Sequence, residues 1–315
     1  MQPDRDARAG EAFAHIAVPY ASEDESLRVL LPAVQKAISA GHRVLLSTGP
    51  LIRDLLAAAL GPDISRVDHR PADSWYLHPY RTLTATHDYS LGHHGHTLLI
   101  GEPIWPGRDE RETREWIRYE SVVNALFSGA QVTAMCLFDR RSTPFHVLAQ
   151  VARTHPSYLT GQSVRHSTAY VPPDQLRLHG DETPLTEPPS PSVSAEFTPG
   201  DLGRLRQTVT DYALRAGMPR DQVVSLVLSV SEIAANSVKH GAGHGVLAMW
   251  TTGQELVCEI ADPGGAINAP LPGYLPPEPE SDRGYGLWIS RQLCDLVEIR
   301  EQNGSLHVRL HMKLV

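Results

Sequence analysis

The run from Gln222 to His240 constrains this chain more than any other stretch. Read at 3.6 residues per turn, Val223, Val227, Val230, Ile233 and Ala234 share one face, while Ser225, Ser229, Glu232, Asn236 and Lys239 share another. Glu232 and Asn236 are four positions apart, so an acid and an amide stand one above the other on the polar side. An Asn carbonyl is a hard oxygen ligand of the kind Mg²⁺ accepts alongside phosphate oxygens. A helix with this pair beside small residues suits a metal–phosphate group; an ordinary surface helix with a polar stripe is the alternative.

Two later segments weigh against the ordinary helix. Leu256 to Asp262 reads as an apolar strand ending in a carboxylate, followed by Pro263-Gly264-Gly265. Arg283-Gly284-Tyr285-Gly286-Leu287-Trp288 then opens an apolar helix. A carboxylate after a strand, beside a glycine turn, accepts a hydrogen bond from an adenine amino group. Glycines at a helix start let backbone N–H groups approach phosphate, with the helix dipole assisting.

This order of acid/Asn helix, Asp-x-Gly turn and Gly-x-Gly helix resembles the Bergerat ATP-binding fold of histidine kinases, gyrase and anti-sigma-factor serine kinases. From Phe197 to Val315 the chain is similar to the last of these. The resemblance implies ATP and Mg²⁺ as cofactors. Asn236 would coordinate the metal, and Glu232 would be the base or water orienter for phosphoryl transfer to a serine hydroxyl. It implies that Asp262 reads the adenine amino group and that Gly264 leaves room for the base. Gly284 and Gly286 would face the phosphates, with Arg283 and Lys239 adding positive charge. The chain departs from the family pattern at Ala266, where a second glycine is expected and where a methyl narrows the pocket. The Pro- and Glu-rich loop Ala269 to Asp282 is a short lid. No phospho-acceptor His motif precedes this half, which disfavours a two-component histidine kinase. His240 and His244 read as exposed polar residues.

At 315 residues the chain accommodates two domains with their own cores. Its 41% hydrophobic and 20% charged content is that of a globular protein, and a net charge of -8 argues against a general nucleic-acid binder. No apolar run reaches the length of a membrane span, and the polar residues 1–10 read as a disordered leader rather than a signal. The three cysteines, Cys136, Cys258 and Cys294, are widely separated and sit in apolar runs, so they read as small core residues in a reducing cytosol.

From Phe13 to about Tyr170 helical periods alternate with short apolar runs. Leu27 to Ala40, Leu51 to Leu60, Glu110 to Phe127 and Pro144 to Arg153 read as helices. Arg43 to Thr48, Thr97 to Ile100 and Gln131 to Phe138 read as strands. That alternation predicts a largely parallel α/β sheet. Asp139 closes a strand at the edge where such sheets bind ligands, although a capped turn explains it as well. The stretch from His87-Asp88 to His96 offers metal-ligand types, but its spacing matches no metal motif and its glycines mark a solvated loop.

His15 to Tyr20, Trp116 through Tyr119-Glu120, Asn124, Cys136-Leu137-Phe138-Asp139 and His155-Pro156 together resemble the MEDS domain, a sensory domain with a RecA-like core. That resemblance implies sensing of a small-molecule signal. The fold expected is therefore α/β throughout. A RecA-like parallel-sheet sensory domain occupies 11–171, a Pro/Ser-rich linker 172–196, and a GHKL/Bergerat α/β sandwich 197–315. The function implied is a cytoplasmic anti-sigma regulator that phosphorylates a serine or threonine of a STAS-type antagonist, or binds a sigma factor, as a possible homodimer. The alternative is a non-catalytic, ATP-dependent binding switch.

Overall fold

Amphipathic helices between short apolar strands build the first of two units, Met1–Leu176 and Arg177–Val315. The computed structural model describes residues 13–92, 95–190, 192–267, 269–277 and 284–314. In chain order the first unit runs β1 (Ala14–Tyr20), α1 (Glu23–Ser39), β2 (Arg43–Thr48), α2 (Pro50–Leu60), β3 (Asp68–Pro71), α3 (Ala72–Trp75) and α4 (Pro79–Leu91). It continues with β4 (Thr97–Gly101), α5 (Glu110–Leu126), β5 (Val132–Asp139), α6 (Phe145–Thr154), β6 (Ser157–Thr160) and β7 (Ser163–His166).

The sheet order is β3-β2-β4-β5-β1-β6-β7, with every pairing parallel except the β6–β7 hairpin. Leu30, Val34 and Ile38 of α1 and Ile52 and Leu56 of α2 pack on Val18, Val44, Leu46, Ile100 and Leu137 of the strands. On the sheet's opposite side, His15 of β1 meets Glu120 and Asn124 of α5. Helix α5 is started by a capping box, with Asp109 accepting from Glu112 N–H and the Glu112 side chain accepting from Asp109 N–H. The stretch read as a solvated loop differs: His87 and Asp88 lie in the last turns of α4, while His93 and His94 fall outside the described residues. The helix is hard to read because Thr82, Thr84 and Thr86, β-branched and weak helix formers, fill its middle. The strand after β4 ends in a capped turn. Asp139 accepts from Arg141 N–H at 2.9 Å and pairs with the Arg141 guanidinium, which also bonds Glu23.

The second unit runs β8 (Val193–Phe197), α7 (Leu202–Arg215), α8 (Arg220–His240), β9 (Gly245–Thr252), β10 (Glu255–Asp262), α9 (Tyr285–Leu293), β11 (Leu296–Gln302) and β12 (Ser305–Lys313). Its sheet, β11-β12-β10-β9-β8, is antiparallel throughout. The period of two sends Leu247, Met249, Leu256, Cys258, Ile260, Val308 and Leu310 into a core with Leu205 and Val209 of α7 and Leu226, Val230 and Ile233 of α8. Ser229, expected on the polar stripe of α8, is instead fully buried; its hydroxyl donates back to Ser225 O at 2.9 Å, which satisfies it within the helix.

Of the Pro-rich stretch 172–196 expected as a linker, the part from Arg177 onward belongs to the second unit, where it packs as a strap. Leu178 and Leu185 are buried. Arg300 donates to the carbonyls of Gly180 and Thr183, Arg309 to that of Thr186, and Gln302 exchanges bonds with the Leu185 backbone. Proline-rich backbone cannot pair with itself, and the charged side chains of β11 and β12 supply the donors its carbonyls lack. The residues just beyond the strap enter the sheet as the edge strand β8.

Candidate functional site

Asp262, the last residue of β10, is 4% exposed. Its Oδ1 accepts the backbone N–H groups of Ala242 at 3.0 Å and Gly264 at 3.1 Å. These two bonds tie the end of α8 to the turn after β10 and fix the carboxyl plane. Oδ2 has no hydrogen-bond partner among the described residues and remains an acceptor of fixed direction. The tight glycine of the turn is Gly265, where a Cβ would lie 2.8 Å from Asp262 Oδ2 and 2.9 Å from Leu306 Cβ. Ala266, expected to narrow the pocket, is exposed.

The second part of the site forms where α9 starts against α8. Gly284 is the N-cap of α9 at φ 93, a left-handed conformation that a side chain strains, and no side chain caps the helix. The first N–H groups of α9 are thus left without a capping side chain. Gly286 faces α8: a Cβ there would sit 2.7 Å from Asn236 Nδ2 and 3.3 Å from Glu232 Oε2. The four-residue spacing of Glu232 and Asn236 does place both beside the start of α9. Both are half-buried, and neither makes a hydrogen bond or ion pair among the described residues. Lys239, one turn further on, is exposed. Arg283 lies outside the described residues, so its assignment has no geometry here.

The first half of the expected lid is anchored. Arg291 of α9 is 3% exposed, stacks 3.8 Å over the Tyr274 ring and donates to Pro272 O at 2.9 Å and Val297 O at 3.2 Å. Gly273, at φ 73, lies against the backbone of Leu287. Among the described residues, 269–277 is therefore held to α9 by an Arg that sequence reading did not single out; its place in an apolar helix (Ile-Ser-Arg-Gln-Leu) was the available signal.

The first unit gathers polar residues that are far apart in the chain. His15 of β1, Glu120 of α5, Cys136 of β5 and His155 after α6 are all buried and bring one ligand-type atom each to within 4.8 Å of the others. Burial, followed by the neighbouring His155, holds the His15 imidazole down to about 4, so it is neutral at neutral pH. Burial first, then Glu120, pushes the Cys136 thiol well up. Cys136 is therefore not merely a small core residue, whereas Cys258 and Cys294 are, in the apolar core of the second unit.

Comparison with known proteins agrees with both halves. Residues 14–156 match the MEDS domain, the methanogen/methylotroph, DcmR sensory domain. Residues 195–312 match the histidine kinase-like ATPase domain. The serine-protein kinase RsbW of Halalkalibacterium halodurans is 26% identical over 143 residues, which cover 41% of this chain and 82% of that protein. A structure of the RsbU and RsbW domains of a Mycobacterium tuberculosis protein aligns at 16% identity and a TM-score of 0.31, over 40% of this chain and 32% of that one. This chain thus spans about a third of that structure's length. Among the described residues no helix is long and apolar enough to cross a membrane. The chain joins a MEDS sensory domain, residues 14–156, to a histidine kinase-like ATPase domain, residues 195–312.

Proposed function

We propose that the second domain binds Mg-ATP and acts as an anti-sigma-type serine/threonine protein kinase under the control of the MEDS domain. One observation carries the reading. Gly286 leaves no side chain between Glu232, Asn236 and the start of α9, so a carboxyl, an amide side chain and helix N–H groups without a capping side chain converge. That donor set suits a polyphosphate with a hard divalent ion.

In this reading Asp262 Oδ2 accepts from the adenine amino group, because Oδ1 is already committed to two backbone donors. Gly264 leaves room for the base. Asn236 offers its carbonyl to Mg²⁺, while Gly284 and Gly286 admit phosphate to the N-terminus of α9. Lys239 and Arg283 add positive charge. Mg-ATP supplies the transferable phosphoryl group and the charge neutralisation. Glu232 accepts the proton of the attacking hydroxyl, or orients it, at the same helix turn that holds the metal. Phosphoryl transfer is mainly positioning and charge stabilisation, which these parts provide.

The protein partner in this reading is a STAS-type antagonist, a sigma factor or both, with no direct nucleic-acid contact and no membrane. The chain is a cytoplasmic homodimer, and a small-molecule signal acts on residues 14–156. The test is calorimetric titration of Mg-ATP into the full chain, followed by phosphate transfer to a STAS-type substrate. Saturable binding with transfer that is lost in Glu232→Ala supports the kinase. Binding without transfer in the wild type replaces the kinase with an ATP-dependent binding switch. No binding at millimolar ATP removes both.

A further inference from the structure

We propose that His15, Glu120, Cys136 and His155 form a binding site for one divalent transition-metal ion, Zn²⁺ by its donor set. The first argument is distance. Tetrahedral Zn²⁺, with bonds of about 2.0–2.1 Å to nitrogen and 2.3 Å to sulfur, sets its ligand atoms roughly 3.3–3.8 Å apart. His15 Nε2 lies 3.2 Å from Cys136 Sγ and 3.6 Å from Glu120 Oε2, and His155 Nε2 lies 3.4 Å from Glu120 Oε2. All four donor atoms lie within 4.8 Å of one another, so the quartet closes on an ion with small inward shifts.

The second argument is the count of donors and acceptors. His15 Nδ1 pairs with Asn124 Oδ1 at 3.1 Å, and Asn124 is itself fixed by donating to Ser121 O at 2.9 Å and Thr154 O at 2.8 Å. Its oxygen therefore accepts, and the His15 proton sits on Nδ1. His155 Nδ1 donates to Val151 O at 3.0 Å. Each ring thus turns an unprotonated Nε2 inward, the tautomer and outer-sphere support that metal-bound histidines require. The centre then holds two imidazole lone pairs and a carboxylate, against one thiol proton. Among the described residues, both Glu120 oxygens and His155 Nε2 lack a hydrogen-bond partner. Buried acceptors without donors are costly, and a cation satisfies all of them at once. Imidazole, thiolate and carboxylate together are a borderline set that zinc accepts and that Mg²⁺ and Ca²⁺ do not.

Four protein donors make a closed site, which is the structural rather than the catalytic form. A cavity of about 30 Å³ borders Glu120 and Cys136, with Tyr76 and Tyr119 on its wall. It is large enough for about two waters and no larger substrate. An ion here fastens two strands, β1 and β5, to two helices, α5 and α6.

The test is Co²⁺ and Zn²⁺ titration of the full chain after chelator treatment, read by metal content and by the thiolate-to-cobalt charge-transfer band. The expected result is one ion per chain, with that band present in the wild type and absent in Cys136→Ser. Asn124→Ala, which keeps all four ligands, should lower affinity roughly 10–100-fold through the lost outer-sphere bond. Circular dichroism of both variants separates lost ligation from lost folding. Failure of the wild type to take up Co²⁺ would overturn the proposal. So would uptake that persists in Cys136→Ser and disappears in a His93→Ala/His94→Ala variant, because the ion would then sit on the His-rich segment.

Discussion

Two helical asparagines, Asn124 on α5 and Asn236 on α8, show how differently the two domains use the same side chain. Every polar atom of Asn124 is spent inside the protein: its oxygen on His15, its nitrogen on Ser121 and Thr154. Asn236 has no partner among the described residues, and Gly286 stands beside it so that nothing else fills the space. A satisfied buried amide stabilises a fold and orients its neighbours. An unsatisfied, half-buried one beside the start of another helix is available to a ligand. The MEDS domain thus spends this amide on internal bonds, and the ATPase-like domain leaves its own open.

The sharpest way to break this contrast is to delete both amides. Asn236→Ala should lower Mg-ATP affinity by about 1.5–3 kcal/mol, roughly tenfold to a hundredfold, by calorimetry, with unfolding free energy unchanged within about 0.5 kcal/mol. Asn124→Ala should leave Mg-ATP binding intact and cost about 1–3 kcal/mol of MEDS-domain stability in urea unfolding, because buried partners are orphaned. Equal stability losses in the two variants would erase the contrast.

Gly286→Ala tests the open space itself. Its methyl overlaps Asn236 Nδ2, so α8 and α9 separate or Asn236 turns away. A loss of about 1–3 kcal/mol of stability is expected together with weaker nucleotide binding. Unchanged binding would mean that the amide is not a ligand.

Asp262→Asn is gentler. An amide oxygen can still take both backbone bonds, so the fold is kept, but the free position becomes a donor where the proposed site puts an adenine amino group. ATP should lose affinity while GTP loses none, measured in parallel titrations; equal losses would remove the base-reading role.

The smallest effect is expected at Arg141. Its guanidinium holds the partly buried Glu23 and Asp139 carboxyls below their usual range. A depressed pKa contributes stability above the unfolded value, near pH ~4, and loses it as pH falls through the folded value. Arg141→Ala should therefore lower the urea midpoint slightly at neutral pH, and the difference should vanish in acid. A difference that grows in acid would reverse the sign.

Much of this was legible from local pattern. The strands at Arg43, Thr97 and Leu256 and the helices at Glu110 and Arg220 follow from apolar period and caps, signals that lie within one element. The residues of the candidate site could be singled out for the same reason, since Glu232/Asn236, Asp262/Gly264 and Gly284/Gly286 are pairs within a few positions of each other. Helix α4 was missed because threonines mask its period. The strap and β8 were missed because proline- and serine-rich chain looks like linker until a partner supplies its hydrogen bonds.

The two-domain α/β plan is readable from the chain alone, because helix period, strand alternation and glycine turns are short-range properties. Only the tertiary structure decided that His15, Glu120, Cys136 and His155 share one buried centre. His15 and Cys136 are 121 positions apart, and they meet because β1 and β5 pair in parallel with His15 beside Ala134 and Ala17 beside Cys136. Strand order and register are set by burial summed over the whole sheet, and no window of local sequence contains that sum.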